Sequence, residues 1–303
     1  MASIFHYTSG TALLGIISNS EFWATDISFL NDHKEHIIGY EACLDYIEEL
    51  KTKEDDQKFG QGLKTLYQQL ITYLECNVIA RQTYVVSFSK TPDSIVHWFS
   101  YCEKNQGYCL EFEEDDFLVC DEQDDLPEFS NIFEDVNYAD AESFRETLSK
   151  VVSKESILNI IIDSQRSVEL AGVDVQDQSN PIAEKYLSAV STRLMGELFS
   201  RLIVSSCYYK DKGFSHEAER RLVLLQNNVN VNYGKAVPSI KFREKNGAIF
   251  PYAPVRFNRN SIKRIVIGPC ADYDFKKSGL LKLLKYYNLE CVVERSSSSL
   301  RFT

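Results

Sequence analysis

The sequence predicts a soluble α/β protein in which short strands alternate with helices along the chain. Three observations carry that reading. Runs of β-branched and aromatic residues such as Thr83-Tyr84-Val85-Val86-Ser87-Phe88 mark strands. Between such runs, apolar residues return at helical spacing, as Leu63, Leu66, Tyr67, Leu70, Ile71 and Leu74 do. A content of 44% hydrophobic and 25% charged residues over 303 positions is that of a chain able to bury a full core.

In chain order, Ile4-Phe5-His6-Tyr7 reads as a strand, and Thr8-Ser9-Gly10 as a turn or helix cap. Thr11 to Asn19 sets Leu13, Leu14, Ile16 and Ile17 on a helical face, and Glu21 to Thr25 is extended again. Asn31-Asp32 caps a long helix carrying Ile37, Tyr40, Leu44 and Ile47, and the helix of Leu63 to Leu74 follows a polar break. After the strand at Thr83 to Phe88 come a short helix, Ile95 to Tyr101, and an alternating strand, Gly107 to Phe112. From about Ala139 to Cys207 the pattern is helical. Strands return at Arg220 to Leu225 and Ile262 to Ile267, and the ending is helix then strand, Leu280 to Tyr287 and Cys291 to Val293. No repeat, Pro-rich linker or sharp boundary interrupts the chain. Residues 1–303 therefore read as one α/β domain with a helical insertion at roughly 139–207.

Composition narrows the function classes. No run approaches the roughly 18 apolar residues of a membrane-spanning helix, and the N-terminus lacks the basic and apolar segments of a secretory signal. Eight scattered cysteines with no Cys-x-x-Cys pair suit reduced, buried thiols in the cytoplasm, and no structural zinc is expected. The net charge of −11 is unevenly spread: Lys235 to Thr303 carries 14 Lys/Arg against 5 Asp/Glu. The densest acidic stretch lies between Glu111 and Glu142. Such asymmetry usually marks solvated surfaces, although a basic part also suits a phosphate-bearing ligand or nucleic acid.

Five constellations could carry chemistry. His6-Tyr7-Thr8 puts an imidazole, a phenol and a hydroxyl at one strand terminus, able to hydrogen-bond a ribose or amide and to stack on a flat ring. Asn31, Asp32 and Glu35 have the spacing of a capping box, which is also the ordinary reason for such residues at a helix start. Ser87 and Ser89 share one side of their strand by its period of two. Trp98 and Tyr101 share a helix face, where packing over the strand is their everyday role. Glu217, Glu219 and Arg221 point the same way on an extended chain. Two carboxylates beside a cation are costly to bury unless paired, so they read as a salt-bridged support or as a catalytic carboxylate with its partner. Glycine-rich phosphate loops and a Gly-x-Ser-x-Gly elbow are absent, which disfavours Rossmann, P-loop and serine-hydrolase chemistry.

In their order and spacing these motifs resemble a widespread bacterial family, domain of unknown function 2971. The likeness runs through His6-Tyr7-Thr8, Trp23, Asn31-Asp32-x-x-Glu35, Val86-Ser87-Phe88-Ser89, Trp98-x-x-Tyr101, Gly107-Tyr108-Cys109-Leu110, Glu217-x-Glu219-x-Arg221-Leu222 and Ile265-Val266-Ile267-Gly268-Pro269. The layout is also similar, remotely, to the ADP-ribosyltransferase fold, whose two small mixed sheets split around an NAD cleft. That resemblance implies NAD as substrate, with His6 on its ribose and Tyr7 or Thr8 lining the pocket. Ser87 and Ser89 would form the middle motif, and Glu219, or Glu217 in its place, the catalytic carboxylate. Asn31, Asp32, Glu35, Trp98, Tyr101 and Arg221 would support the site, with no metal. The implied function is ADP-ribosylation of a macromolecule, nucleic acid or protein, by a toxin or phage-defence effector with a neutralising antitoxin. The alternatives are a non-catalytic nucleotide- or partner-binding module and a metal-dependent nuclease built on Asp32, Glu35, Glu217 and Glu219.

Overall fold

The structure, a computed structural model, describes residues 3–30, 35–55, 57, 60–75, 83–102, 107–114, 129–170, 181–226, 240–245 and 247–298. Within these residues the protein is mixed α/β, with eight α-helices and an open, mixed, ten-stranded sheet, which bears out the predicted class. Among them no helix is long and apolar enough to cross a membrane. The chain divides into two compact units, 1–30 with 82–136 and 213–303, and 31–81 with 137–212.

The first unit holds the sheet. Strand β1 (Ser3–Ser9) leads through α1 (Gly10–Asn19) into β2 (Glu21–Asp26). The Ser9 hydroxyl accepts from the Ala12 amide at 3.2 Å and so starts α1, and Ser20 in the left-handed region ends it. Strand β3 (Thr83–Ser89), helix α4 (Ile95–Tyr101) and strand β4 (Gly107–Glu113) follow. Strands β5 (Phe129–Asp135), β8 (Glu219–Gln226), β9 (Lys241–Lys245), β10 (Ala248–Arg256), β11 (Ile262–Ile267) and β12 (Val292–Arg295) complete the sheet, with α8 (Tyr273–Tyr286) before the last strand.

The order across the sheet is β12-β11-β4-β1-β3-β2-β10-β9, with β8 also on β3 and β5 on β8. One edge of β3 is paired along its whole length with β8, from Thr83↔Leu225 to Ser89↔Glu219. Its other edge is shared: Ser89 meets Phe5 of β1, whereas Val85 and Tyr84 meet Thr25 and Asp26 of β2. The two strands that flank α1 therefore take successive stretches of one edge.

Alternation along the strands sorts the core. Ile4, Phe22, Ala24, Val86, Phe88, Leu110, Phe112, Leu222 and Ile265 form the larger cluster with Leu13 and Ile17 of α1 and Leu280 and Leu284 of α8. Phe5, Tyr7, Cys109 and Val266 form a smaller one with Trp98 and Cys102 around α4.

The second unit is mostly helical. It contains α2 (Glu35–Lys53), α3 (Gly60–Glu75), α5 (Ala141–Val151), α6 (Lys154–Leu170) and α7 (Pro181–Tyr208), with β6 (Asn137–Ala139) parallel to β7 (Tyr209–Asp211). The stripe Leu63, Leu66, Tyr67, Leu70, Ile71 and Leu74 is buried, as its spacing predicts. The stretch read from sequence as an insertion is thus joined in one unit by α2 and α3. A Cβ on Gly39 would lie 2.7 Å from the Ser206 carbonyl oxygen, so this glycine lets α2 and α7 approach. Tyr46 bonds the Val152 carbonyl at 2.7 Å, and Lys154 pairs with the buried Glu54 at 2.8 Å.

Candidate functional site

The ladder between β3 and β8 brings two of the sequence motifs together. Ser89 stands opposite Glu219 and Ser87 opposite Arg221. Directly opposed residues share a face, so these four lie on the face that also carries Phe5, itself opposite Ser89. Glu219 and Arg221 are buried and joined by two bonds, Nε to Oε1 at 2.7 Å and Nη2 to Oε2 at 3.0 Å. Bidentate geometry of this kind fixes the carboxylate plane as well as its charge.

Glu217 sits differently from its sequence expectation. It ends a 3-10 turn, Lys212–Glu217, and Ala218 follows with φ of +43° before the strand begins at Glu219. The period of two therefore holds from Glu219 to Arg221 but not back to Glu217. This kink presents the Glu217 carbonyl to two side chains: the Ser89 hydroxyl donates to it at 2.8 Å and His97 Nε2 at 3.1 Å. Ser89 also accepts from the Thr91 amide at 3.0 Å. Ser87 is half-buried, and its carbonyl accepts from His6 Nδ1 at 3.0 Å.

The three residues of the first motif do not share a face. His6 contacts the rings of Phe22 and Phe88, centroids 5.2 and 5.5 Å away, on the side of the larger cluster. Thr8, two positions on, is buried on the same side by alternation. Tyr7 faces α4. Its ring stacks on His97 at 4.6 Å and meets Trp98 edge-on at 4.9 Å. The Tyr7 hydroxyl donates to the Thr91 carbonyl at 2.9 Å and accepts from the Ser94 amide at 2.8 Å, which ties down the loop before α4.

Charge follows burial. Desolvation lowers His6 to about 4, its bond to Ser87 opposing and Arg243 adding to the effect. The imidazole is therefore neutral at physiological pH. Because a carbonyl only accepts, Nδ1 carries the proton and Nε2 is the acceptor. Burial likewise raises the Tyr7 phenol and lowers His97, the latter against the pull of the Glu217 charge.

Helix α4 supplies residues that the sequence assigned to packing. Trp98 is fully buried, and its Nε1 donates to Asp93 Oδ1 at 2.8 Å. A Cβ on Gly268 would lie 2.9 Å from its ring, so the indole depends on that glycine. Tyr101 lies 5.7 Å from the His97 ring. His97 itself is the residue the motifs did not single out. With Nε2–H given to Glu217, its buried Nδ1 is an acceptor with no hydrogen-bond partner. Asp93 was equally unmarked, a left-handed residue (φ +49°) that also receives Ser296 and Ser297 at 2.5 and 2.6 Å.

Of the remaining predicted residues, Asn31 and Asp32 lie outside the described residues, and Glu35 begins α2 in the second unit. Among the described residues no three His, Cys, Asp or Glu side chains group to hold a metal ion.

No curated protein and no solved structure matches the chain significantly. Residues 97–222, which run from His97 of α4 to Leu222 of β8, match the family described as "Protein of unknown function (DUF2971)", which bears out the resemblance to that family over this stretch.

Proposed function

We propose that the protein is an NAD-dependent ADP-ribosyltransferase that modifies a macromolecule, nucleic acid or protein, in the cytoplasm, as a toxin or phage-defence effector held in check by an antitoxin. The observation that supports the reading is the edge of β3 between its two partners. Between Ser89, which meets β1, and Val85, which meets β2, the Ser87 carbonyl takes His6 Nδ1. On the sheet face turned away from the larger cluster, Ser89 stands opposite Glu219. Strands β1 and β2 taking successive stretches of one β3 edge suits a sheet that parts into two halves around a ligand, as in the ADP-ribosyltransferase fold.

In this mechanism the bond between nicotinamide and the ribose C1′ breaks, and nicotinamide leaves with the bonding pair. Oxocarbenium charge develops on the ribose, and a fixed carboxylate beside it stabilises that charge. Glu219 is suited to this task, because Arg221 fixes the orientation of its carboxylate through two bonds. The acceptor nucleophile then bonds C1′ and gives up its proton to water. His6, neutral and offering Nε2, positions a ribose hydroxyl. Ser87 lines the pocket, and Tyr7, Ser89, Trp98 and Tyr101 support it.

The test is NAD labelled in its adenylate phosphate, incubated with the protein and with cellular nucleic-acid and protein fractions. Label transfer with nicotinamide release that Glu219→Gln abolishes, while the variant stays folded at the assay temperature by circular dichroism, supports the reading. NAD neither bound nor consumed by the wild type sinks it. A loss on Glu217→Gln instead would move the catalytic role to Glu217.

One observation favours a second reading, a non-catalytic module that binds a nucleotide or a partner. Both oxygens of Glu219 are engaged by Arg221, as in a structural ion pair. Its mark is NAD binding without turnover, insensitive to Glu219→Gln and weakened by His6→Ala.

A further inference from the structure

Among the described residues, Arg243 is a cation with no ion-pair partner. It lies at the middle of β9, opposite Phe250 of β10, while Tyr252 and Pro254 of β10 stand opposite Thr25 and Trp23 of β2. Alternation puts Arg243, Tyr252, Thr25 and Trp23 on one face. The guanidinium lies 5.4 Å from the centroid of the Trp23 ring and 6.0 Å from that of Tyr252, and the two rings are 5.3 Å apart.

The hydrogen bonding is incomplete. A guanidinium has five N–H donors, and Arg243 makes one bond among the described residues, from Nη2 to the Thr25 hydroxyl at 2.7 Å. Its Nε is buried with no partner, and so is Nε1 of the adjacent Trp23. Orphaned buried donors are rare, and two on touching side chains call for an external acceptor. Among the described residues, no carboxylate counters the desolvation of Arg243. Desolvation, its main perturbation, lowers its pKa, and the Tyr252 phenol alone opposes this. A half-buried guanidinium whose Nε is shielded from water suits a partner that brings the opposite charge. Arg243 also acts on His6, whose protonation it opposes.

We propose that Arg243, with Trp23 and Thr25, forms a phosphate subsite that takes the pyrophosphate of a dinucleotide. The identity of the dinucleotide rests on the transferase reading above; the need for an anion does not. Guanidinium N–H groups take phosphate oxygens, the Trp23 N–H supplies a further bond, and the aromatic rings hold the guanidinium plane.

The experiment is calorimetric titration of the full chain with ADP, with adenosine as the phosphate-free control and a single-stranded oligonucleotide as the alternative phosphate source. The wild type binds ADP more tightly than adenosine. Arg243→Gln weakens ADP binding ten- to a hundredfold and leaves adenosine unchanged, and Arg243→Lys recovers part of the loss. Trp23→Phe, which removes one N–H and keeps an aromatic ring, weakens ADP severalfold and serves if Arg243→Gln fails to fold. Equal binding of ADP and adenosine, no binding of either, or ADP binding indifferent to Arg243 overturns the proposal. So does an Arg243-dependent oligonucleotide interaction with no ADP binding. The two readings fail separately. ADP bound through Arg243 without NAD consumption leaves the subsite standing and removes the transferase; NAD consumption with ADP binding indifferent to Arg243 does the reverse.

Discussion

Arg221 grips both carboxylate oxygens of Glu219, at 2.7 and 3.0 Å, with the two side chains only 3% and 6% exposed. A buried pair of this kind is weakly stabilising as a pair, yet costly to break from one side, because the surviving charge stays in a poor solvent. Arg221→Met is expected to lower stability by about 3–5 kcal/mol. Glu219→Gln keeps the shape and an acceptor and is expected to cost about 1–3 kcal/mol. Urea unfolding of both single variants and the double variant measures this, and the double variant recovers part of the Arg221→Met loss. A cost of Arg221→Met below about 1 kcal/mol, the range of an exposed pair, contradicts the buried geometry.

His6 sets a pH dependence. Its folded pKa of about 4 lies below the ordinary value of 6.5. Between these values the unfolded chain binds the proton that the folded one refuses. Stability is therefore complete above pH 6.5, falls as pH drops from 6.5 to 4, and by pH 4 has lost about 3 kcal/mol. His97, also lowered by burial, adds a slope of the same sign. Urea midpoints between pH 4 and 7 test this. His6→Gln, which keeps a donor for the Ser87 carbonyl, flattens the curve, and an unchanged slope would show that His6 does not carry it.

Asp93 ties α4 to the segment that follows β12, through Trp98 on one side and Ser296 and Ser297 on the other. Partial burial alone would raise it, but the hydrogen bonds from Ser296, Ser297 and Trp98 outweigh burial and hold it below the usual carboxylate range. Asp93→Ala removes the acceptor for all of them and is expected to cost about 2–3 kcal/mol, against about 1 kcal/mol for Ser297→Ala. Asn tolerates the left-handed backbone, so Asp93→Asn is the milder change. Thermal unfolding ranks the three variants. Limited proteolysis near Ser296 is faster in Asp93→Ala than in the wild type.

Most elements of the sheet unit were legible because their signals are local. The apolar and aromatic run at Thr83 to Ser89, the alternation at Gly107 to Glu113 and the Ser9 cap before α1 each declare themselves within a few residues. The β9 strand, Lys-Phe-Arg-Glu-Lys, did not, because a mostly exposed edge strand carries charge rather than an apolar face. Strand β5 was hidden similarly: Phe129 to Asp135 lies within the acidic stretch read as solvated surface, and only its partner β8 makes it a strand. The site was half legible. Ser87, Ser89, Glu219 and Arg221 were named from sequence, and the register that sets them opposite one another is a long-range fact. His6 and Tyr7 were grouped by adjacency, but adjacent strand residues face opposite ways. Arg243 and His97 acquire their hydrogen bonds from partners distant in the chain, Thr25 and Glu217, and Asp93 joins the nearby Trp98 to the distant Ser296.

His6 separates binding from chemistry in the proposed reaction. An imidazole with a pKa of about 4 is already neutral across the working range, so it offers Nε2 as a hydrogen-bond acceptor and has little basicity with which to drive proton transfer. His6→Ala removes one acceptor for the ribose and is expected to raise KM for NAD about tenfold, which corresponds to roughly 1.4 kcal/mol of binding. It leaves kcat within about threefold of wild type, since the interaction is made equally in the ground and transition states. Glu219→Gln acts oppositely, with a large loss in kcat and a small change in KM. Steady-state kinetics over pH 5 to 8 distinguishes the two. The wild-type kcat shows no step from His6 in that window, whereas a kcat that collapses on His6→Ala at unchanged KM would make His6 part of the chemical step and its ligand-positioning role wrong.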